Sequence, residues 1–225
     1  MNRTGGVKNK RAVVLLSGGL DSAVTLYLAR KSGFKCFCLI FDYGQLHRRE
    51  ISAARKIAKA ARCPAQVVKI GFPWKGSALL DKGIKVPSAV RTGVIPSTYV
   101  PGRNIIFLSF ALSCAEAIKA QAIFIGSHAQ DYSGYPDCRP EFYRAFGRAA
   151  DAGTKAGVEG RRIKIVTPLI HKNKAQIIRL GRSLGVPFKM TWSCYRGGVR
   201  PCGKCDSCFY RAKGFKEAGL SENEG

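Results

Sequence analysis

Acidic residues are scarce in this chain: 14 Asp and Glu stand against 38 Lys and Arg, which leaves a formal net charge of +24. That balance implies anionic partners and some self-repulsion between copies. Nucleotide, carboxylate substrate and nucleic acid all qualify. The basic residues are dispersed and no nucleic-acid motif stands out, so a nucleic-acid partner is left open but not required. Long hydrophobic runs are missing too. Residues 1–11 are polar and basic, and only five apolar residues follow before Ser17, too few for a signal-peptide core or a membrane span. A cytoplasmic protein with no membrane partner is therefore expected. In that reducing compartment nine cysteines read as buried thiols and metal ligands rather than disulfides. Histidine is limited to His47, His128 and His171, whose lack of paired spacing argues for surface or packing roles over metal ligation. No internal repeat is visible.

What is present points to one principal domain. A chain of 225 residues, 46% of them hydrophobic, can bury a substantial core. At roughly 100–200 residues per domain, the expected division is a main unit over 11–190 and a small cysteine-bearing unit over 191–220. Apolar runs at 12–16 and 36–41 predict buried strands, and 65–70, 122–125 and 163–166 predict three more. Between them, helical spacing predicts helices over 23–30, 51–61, 105–118, 141–152 and 173–184. Such alternation argues for an open, mostly parallel five-stranded α/β sheet with helices on both faces. Residues 71–96 lack periodicity and contain Pro87 and Pro96, which predicts a lid or a disordered stretch.

The stretch Ser17-Gly18-Gly19-Leu20-Asp21-Ser22 joins the first strand to the first helix. Two glycines let the backbone turn tightly and aim successive N–H groups into one concavity at the positive end of a helix dipole, where phosphate binds. Ser17 and Ser22 add hydroxyls. Asp21, a carboxylate among donors suited to anions, makes sense with a magnesium ion between it and the phosphates. This is not the common phosphate loop, in which a lysine follows the second glycine. A plain turn with Ser and Asp capping the helix would account for Gly-Gly alone. The full string, however, resembles the loop of the ATP pyrophosphatase families, which split ATP between its alpha and beta phosphates.

Further polar segments follow the other strands. Asp42 to Glu50, with Tyr43-Gly44-Gln45, should lie beside the phosphate loop, because ligands sit at the strand ends of open parallel sheets. Arg103, near the start of the third helix, is placed to reach a phosphate or carboxylate as readily as to be a solvated surface residue. The segment from Ser127 to Phe142 is the densest in polar groups, and its acids, tyrosines and arginine suit recognition of a flat base. Cys36 and Cys38 share one strand face and read as core residues. Near the C-terminus Cys194 precedes the triplet Cys202, Cys205 and Cys208, a spacing that fits a closed tetrahedral zinc site of structural type. A ferredoxin-type cluster is the rival, although no further cysteine and proline follow Cys208. Lys204 and Arg211 would offset surplus thiolate charge, and a last helix is predicted over 206–218.

Taken together, Ser17 to Ser22, Tyr43-Gly44-Gln45, Val100-Pro101-Gly102-Arg103-Asn104, Asp131-Tyr132-Ser133-Gly134-Tyr135-Pro136-Asp137-Cys138-Arg139 and residues 193–208 resemble the 7-cyano-7-deazaguanine synthase family of queuosine biosynthesis, over about 11–219. The resemblance implies an adenine nucleotide alpha hydrolase-like sheet with a C-terminal zinc knuckle and helix. It implies a carbon–nitrogen ligase that activates 7-carboxy-7-deazaguanine with ATP, forms an amide with ammonia, and activates that amide to give the nitrile, releasing AMP and pyrophosphate. Leu16, Ser17, Gly18, Gly19, Leu20, Asp21, Ser22, Ala23, Val24, Thr25 and Leu26 would bind ATP. The resemblance puts Ser17, Asp21, Ser22, Arg103, Asp131, Asp137 and Arg139 in the catalytic set and Asp131, Tyr132, Tyr135, Asp137 and Arg139 around the deazaguanine. Magnesium, structural zinc and a homodimer are implied as well. A tRNA-thiolating enzyme with Cys138 as nucleophile is the enzymatic alternative; a non-catalytic zinc and RNA-binding module is a third reading, and it leaves the phosphate loop unexplained.

Overall fold

The computed structural model describes residues 10–87, 95–129 and 134–222. Five strands, β1 (Arg11–Leu15), β2 (Lys35–Asp42), β3 (Ala65–Lys69), β4 (Ala122–Phe124) and β5 (Lys164–Val166), form one sheet in the order β3-β2-β1-β4-β5. Every pairing is parallel. The four residues of β1 after Arg11 are all buried, as expected of a parallel strand covered on both faces.

Strand alternation divides the core into two layers. Ala12, Val14 and Leu16 face one cluster with α1 (Leu20–Lys31), α2 (Arg49–Ala60) and α6 (Lys174–Ser183). Val13 and Leu15 face the other, with α3 (Arg103–Ala117) and α4 (Pro140–Gly153). A one-turn helix α5 (Lys155–Val158) follows α4, and α7 (Asp206–Ala218) packs on α6, adding Phe215 to the first cluster. Local chemistry sets several boundaries. Asn173 and Gln176 form a reciprocal capping box at the start of α6, and Gly219, at φ 71°, closes α7 in the left-handed conformation that glycine adopts without strain.

The order of strands reverses at β1, with β2 and β3 on one side and β4 and β5 on the other, so the crevice that binds ligands in such sheets opens beyond the ends of β1 and β4. Residues 70–102 contain no helix or strand among those described. Contrary to the expectation of a lid or disorder, the described part is pinned: Phe72, Ala78, Leu79 and Val100 are buried. Leu46 N–H donates to Leu79 O at 3.0 Å and Ala78 N–H to Ser97 O at 2.7 Å.

Gly181 of α6 shows how tightly the first layer closes. A Cβ there would lie 2.5 Å from Phe188 Cζ and 2.7 Å from Val24 Cγ2. Gly181→Ala is expected to overpack this contact and cost about 1–3 kcal/mol, read as a lower urea midpoint with an unchanged slope.

Candidate active site at the strand ends

The phosphate loop forms as its composition suggests. Gly18 takes φ 89°, and a Cβ on it would sit 2.2 Å from the Glu50 carbonyl oxygen, so no other residue lets the loop approach α2 this closely. Gly126, after β4, is crowded less severely from the other side, its Cβ position being 3.0 Å from the Asp21 carbonyl carbon. Ser17 Oγ donates to Ser22 Oγ at 3.1 Å and accepts from Gly19 N–H at 3.3 Å, while Ser22 Oγ donates to Gly19 O at 3.0 Å. The N-cap of α1 is Gly19, and no side chain caps it. Helix capping therefore does not explain Ser17, Asp21 or Ser22, and the dipole end of a 12-residue helix faces the crevice.

Asp21 has a partner that sequence reasoning did not find. Lys174 Nζ donates to its two carboxylate oxygens at 2.8 and 2.9 Å, and lies 2.8 Å from His128 Nε2. Burial alone would raise the Asp21 carboxyl, but the Lys174 ammonium, with His128, outweighs it and holds the group below the usual carboxylate range. His128 is buried, as a packing histidine would be, and joins the site through Lys174 without lining the cavity. His47 does line the cavity, and His171 is exposed.

A cavity of about 250 Å³ opens from this loop. Ser17, Gly19, Asp21, Ser22 and Leu16 line it, joined by Arg103 and Tyr135 from the predicted sets. Arg103 opens α3, where its Nη1 donates to Tyr43 OH at 3.4 Å and its guanidinium lies 5.8 Å from the Tyr43 ring centre. Tyr135 OH shares a 2.8 Å hydrogen bond with Thr98 Oγ1. Other predicted residues stand elsewhere. Leu20, Ala23, Val24 and Leu26 are core residues, so α1 is aimed by them and not lined with them. Thr25 is fully buried and Gly18 is covered by α2. Asp137 is buried, does not line the cavity, and uses Oδ2 to accept from Asn104 N–H at 2.9 Å, tying the 3-10 turn Pro136–Cys138 to the start of α3. Arg139 is exposed at the N-cap of α4. Asp131 and Tyr132 lie outside the described residues.

The cysteine segment contributes Trp192, Ser193, Cys194, Tyr195 and Ser207 to the cavity lining. Cys194, Cys202, Cys205 and Cys208 bring their sulfurs within 4.8 Å of one another, close enough to share one tetrahedral metal ion. Backbone N–H groups point at them: Arg196 and Cys202 donate to Cys194 Sγ, and Lys204 and Cys205 to Cys202 Sγ. Burial works against the Cys202 thiolate, yet these N–H bonds bring its thiol down to about 6, which favours metal ligation. Arg211 does not sit on the thiolates as expected. Its guanidinium ties α7 to Phe188 O, Thr191 Oγ1 and Ser193 Oγ. Trp192, just ahead of the knuckle, donates its N–H to Gly18 O at 2.9 Å, and Arg49 reaches Val199 O at 2.9 Å.

An anion-ready helix start and a cysteine knuckle thus meet at one cavity, and the sequence that builds them has a known family. The model for queuosine biosynthesis protein QueC matches residues 11–219. The chain belongs to the QueC family. A relative from Acetivibrio thermocellus, 7-cyano-7-deazaguanine synthase, is 53% identical over 212 residues, 94% of this chain and 95% of its own. More distant solved structures share the fold. NMN synthetase from Francisella tularensis superposes with TM-score 0.51 at 16% identity, covering 96% of this chain and 74% of its own. The U34-tRNA thiolase NcsA from Methanococcus maripaludis, with its [4Fe-4S] cluster, gives 0.51 at 18%, covering 96% and 70%. Within the QueC chain the residues missed from sequence are Lys174 and Trp192, whereas Glu50 lies in the stretch from Asp42 to Glu50 expected beside the phosphate loop. Lys174 carried one usable signal, its place at the first turn of a helix just beyond a strand end.

Removing Lys174 tests the ion pair. Lys174→Met leaves Asp21 half-enclosed without a cation and is expected to cost about 3 kcal/mol at neutral pH. Since the pair lowers the Asp21 pKa, its contribution is present above the unfolded value near 3.8 and is lost as pH falls through the folded one. The gap between wild type and variant in urea unfolding should shrink as pH is lowered through the carboxylate range.

Proposed function

We propose that this chain converts 7-carboxy-7-deazaguanine and ammonia to 7-cyano-7-deazaguanine, cleaving ATP to AMP and pyrophosphate, as a carbon–nitrogen ligase of queuosine biosynthesis. The observation that carries the reading is the uncapped start of α1 opening into a cavity that also holds Arg103 and Tyr135, in a chain of the QueC family. A carboxylate is a poor electrophile because attack must expel oxide. Adenylation gives the carbon a good leaving group, and the helix start with the Ser17 and Ser22 hydroxyls suits the departing pyrophosphate.

In this reading residues 16–22 hold the ATP phosphates and Arg103 neutralises charge near the adenylate. Tyr135, with Asp131 and Tyr132, receives the deazaguanine, while Asp137 and Arg139 act through the placement of the Tyr135 turn and α3. Both Asp21 oxygens already accept from Lys174, so this single carboxylate is no ready-made magnesium site. Magnesium fits as an ion that arrives on the nucleotide with its own water and phosphate ligands and neutralises phosphate charge there. Zinc fits the four thiolates, where it would close the segment over 191–220 on itself, while Trp192 N–H to Gly18 O and Arg49 to Val199 O hold that segment against the unit over 11–190. The exposed apolar residues Ile105 and Phe110 of α3 support a homodimer through that helix. The tRNA-thiolating alternative is supported by Cys138, which lines the cavity with Asn104 Nδ2 at 3.2 Å from its sulfur.

The deciding assay follows AMP and nitrile by mass spectrometry with ATP, magnesium, ammonium and 7-carboxy-7-deazaguanine. Both products are expected only with all components present. AMP without nitrile would keep the adenylating loop and reopen the substrate, with tRNA and a sulfur donor tested next. Metal analysis should give about one zinc per chain, lost in Cys205→Ser, and no iron absorbance.

A further inference from the structure

Two carboxylates line the cavity among the described residues, Asp21 and Glu50. Asp21 is engaged by Lys174 through both oxygens. Glu50 is different. It is the second residue of α2, and its backbone carbonyl is the atom against which the phosphate-loop glycine Gly18 is packed, so its side chain stands directly beside the loop. One oxygen, Oε1, accepts from Gln45 Nε2 at 3.1 Å. Gln45 is itself fixed, accepting from Tyr43 N–H at 2.8 Å and donating to Phe41 O at 3.2 Å. The other Glu50 oxygen accepts from no described residue. Around the carboxylate stand Arg103 from α3, the Tyr43 phenol from the end of β2 and, farther along the same wall, His47. Burial pushes Glu50 up to about 7, against the pull of Arg103 and of the Gln45 hydrogen bond, so it exchanges its proton near neutral pH.

The reaction proposed above needs a group of this kind. At neutral pH ammonia is present almost wholly as ammonium, a cation with no lone pair, entering a strongly basic protein. We propose that Glu50 is the catalytic residue that takes ammonium in the cavity through its free oxygen and removes its proton. The released ammonia puts its lone pair into a new C–N bond at the adenylated carboxyl carbon, and the bond from that carbon to the AMP phosphate oxygen breaks with its electron pair leaving on AMP. The surplus proton on the new nitrogen passes to water, as does the proton held by Glu50, so each amide formed releases AMP and two protons from ammonium. This assignment rests on the substrate reading above.

Glu50→Gln keeps shape and the Gln45 contact. Two half-reactions separate its roles: ATP–pyrophosphate exchange driven by 7-carboxy-7-deazaguanine without ammonium, and amide or nitrile formation with ammonium. Exchange should stay within about threefold of wild type while the ammonium-dependent step falls by about 100-fold or more at pH 7. At fixed total ammonium, wild type should level off above about pH 7, whereas Glu50→Gln should climb about tenfold per pH unit with the free-base fraction. Hydroxylamine, a free base at neutral pH, should give hydroxamate equally with both. Unchanged ammonium dependence, or equal loss of exchange and amide formation, or a raised requirement for the deazaguanine in exchange, would each overturn the assignment. A wild type that shows exchange with ATP but none driven by this acid would instead refute the substrate reading, and the assignment with it.

Discussion

The ion pair between Lys174 and Asp21 joins residues 153 positions apart and holds the working end of the molecule together. Two largely buried charges persist only when paired, so the pair fixes the first turn of α1 against the start of α6. Its surroundings are cut to fit. A Cβ on Gly214 of α7 would lie 2.4 Å from Lys174 Cγ, and Gly126 leaves room for the first turn of α1 to pass over the end of β4. Where the loop turns into α1, it is thereby set from the α6 side, from the α2 side through Gly18, and from beneath.

Scarcity of acid acquires a meaning in this setting. With 14 acidic residues against 38 basic ones, most carboxylates could serve anywhere on the surface, yet two stand in one cavity. They differ in state. Asp21 is held charged by its ammonium neighbour, while Glu50, further from compensation, is held near neutrality. A pair of like groups driven apart by environment supplies fixed charge at one point and an exchangeable proton at another. The strong net charge therefore says little about the site itself, which is built from local contrasts.

The three central strands were legible because buried parallel strands read as apolar runs, the edge strands β3 and β5, which bury no residue, from their place in the alternation, and α7 over 206–218 because a turn before it and Gly219 after it bound the helix locally. The phosphate loop and the cysteine cluster were legible for the same reason, each lying in one short stretch. Lys174 and its contact with His128 were not, since both gain their role from contacts across the fold that no local pattern marks. Asp137 is the opposite case. It sits in a segment rich in recognition chemistry, but its carboxylate is used by the backbone of Asn104 at the head of α3. The unpatterned stretch after β3 was misjudged because buried anchors such as Phe72 and Leu79 carry no period.

The hydrogen bond from Trp192 to Gly18 O has a consequence in time as well as in space. A ribosome delivers the phosphate loop before β2 to β5 and Trp192 after all of them. Every strand of the sheet is already synthesised before the loop receives this partner. The contact is consequently begun before β2 and closed after β5, and a chain cut short before residue 192 carries all five strands without this partner for Gly18.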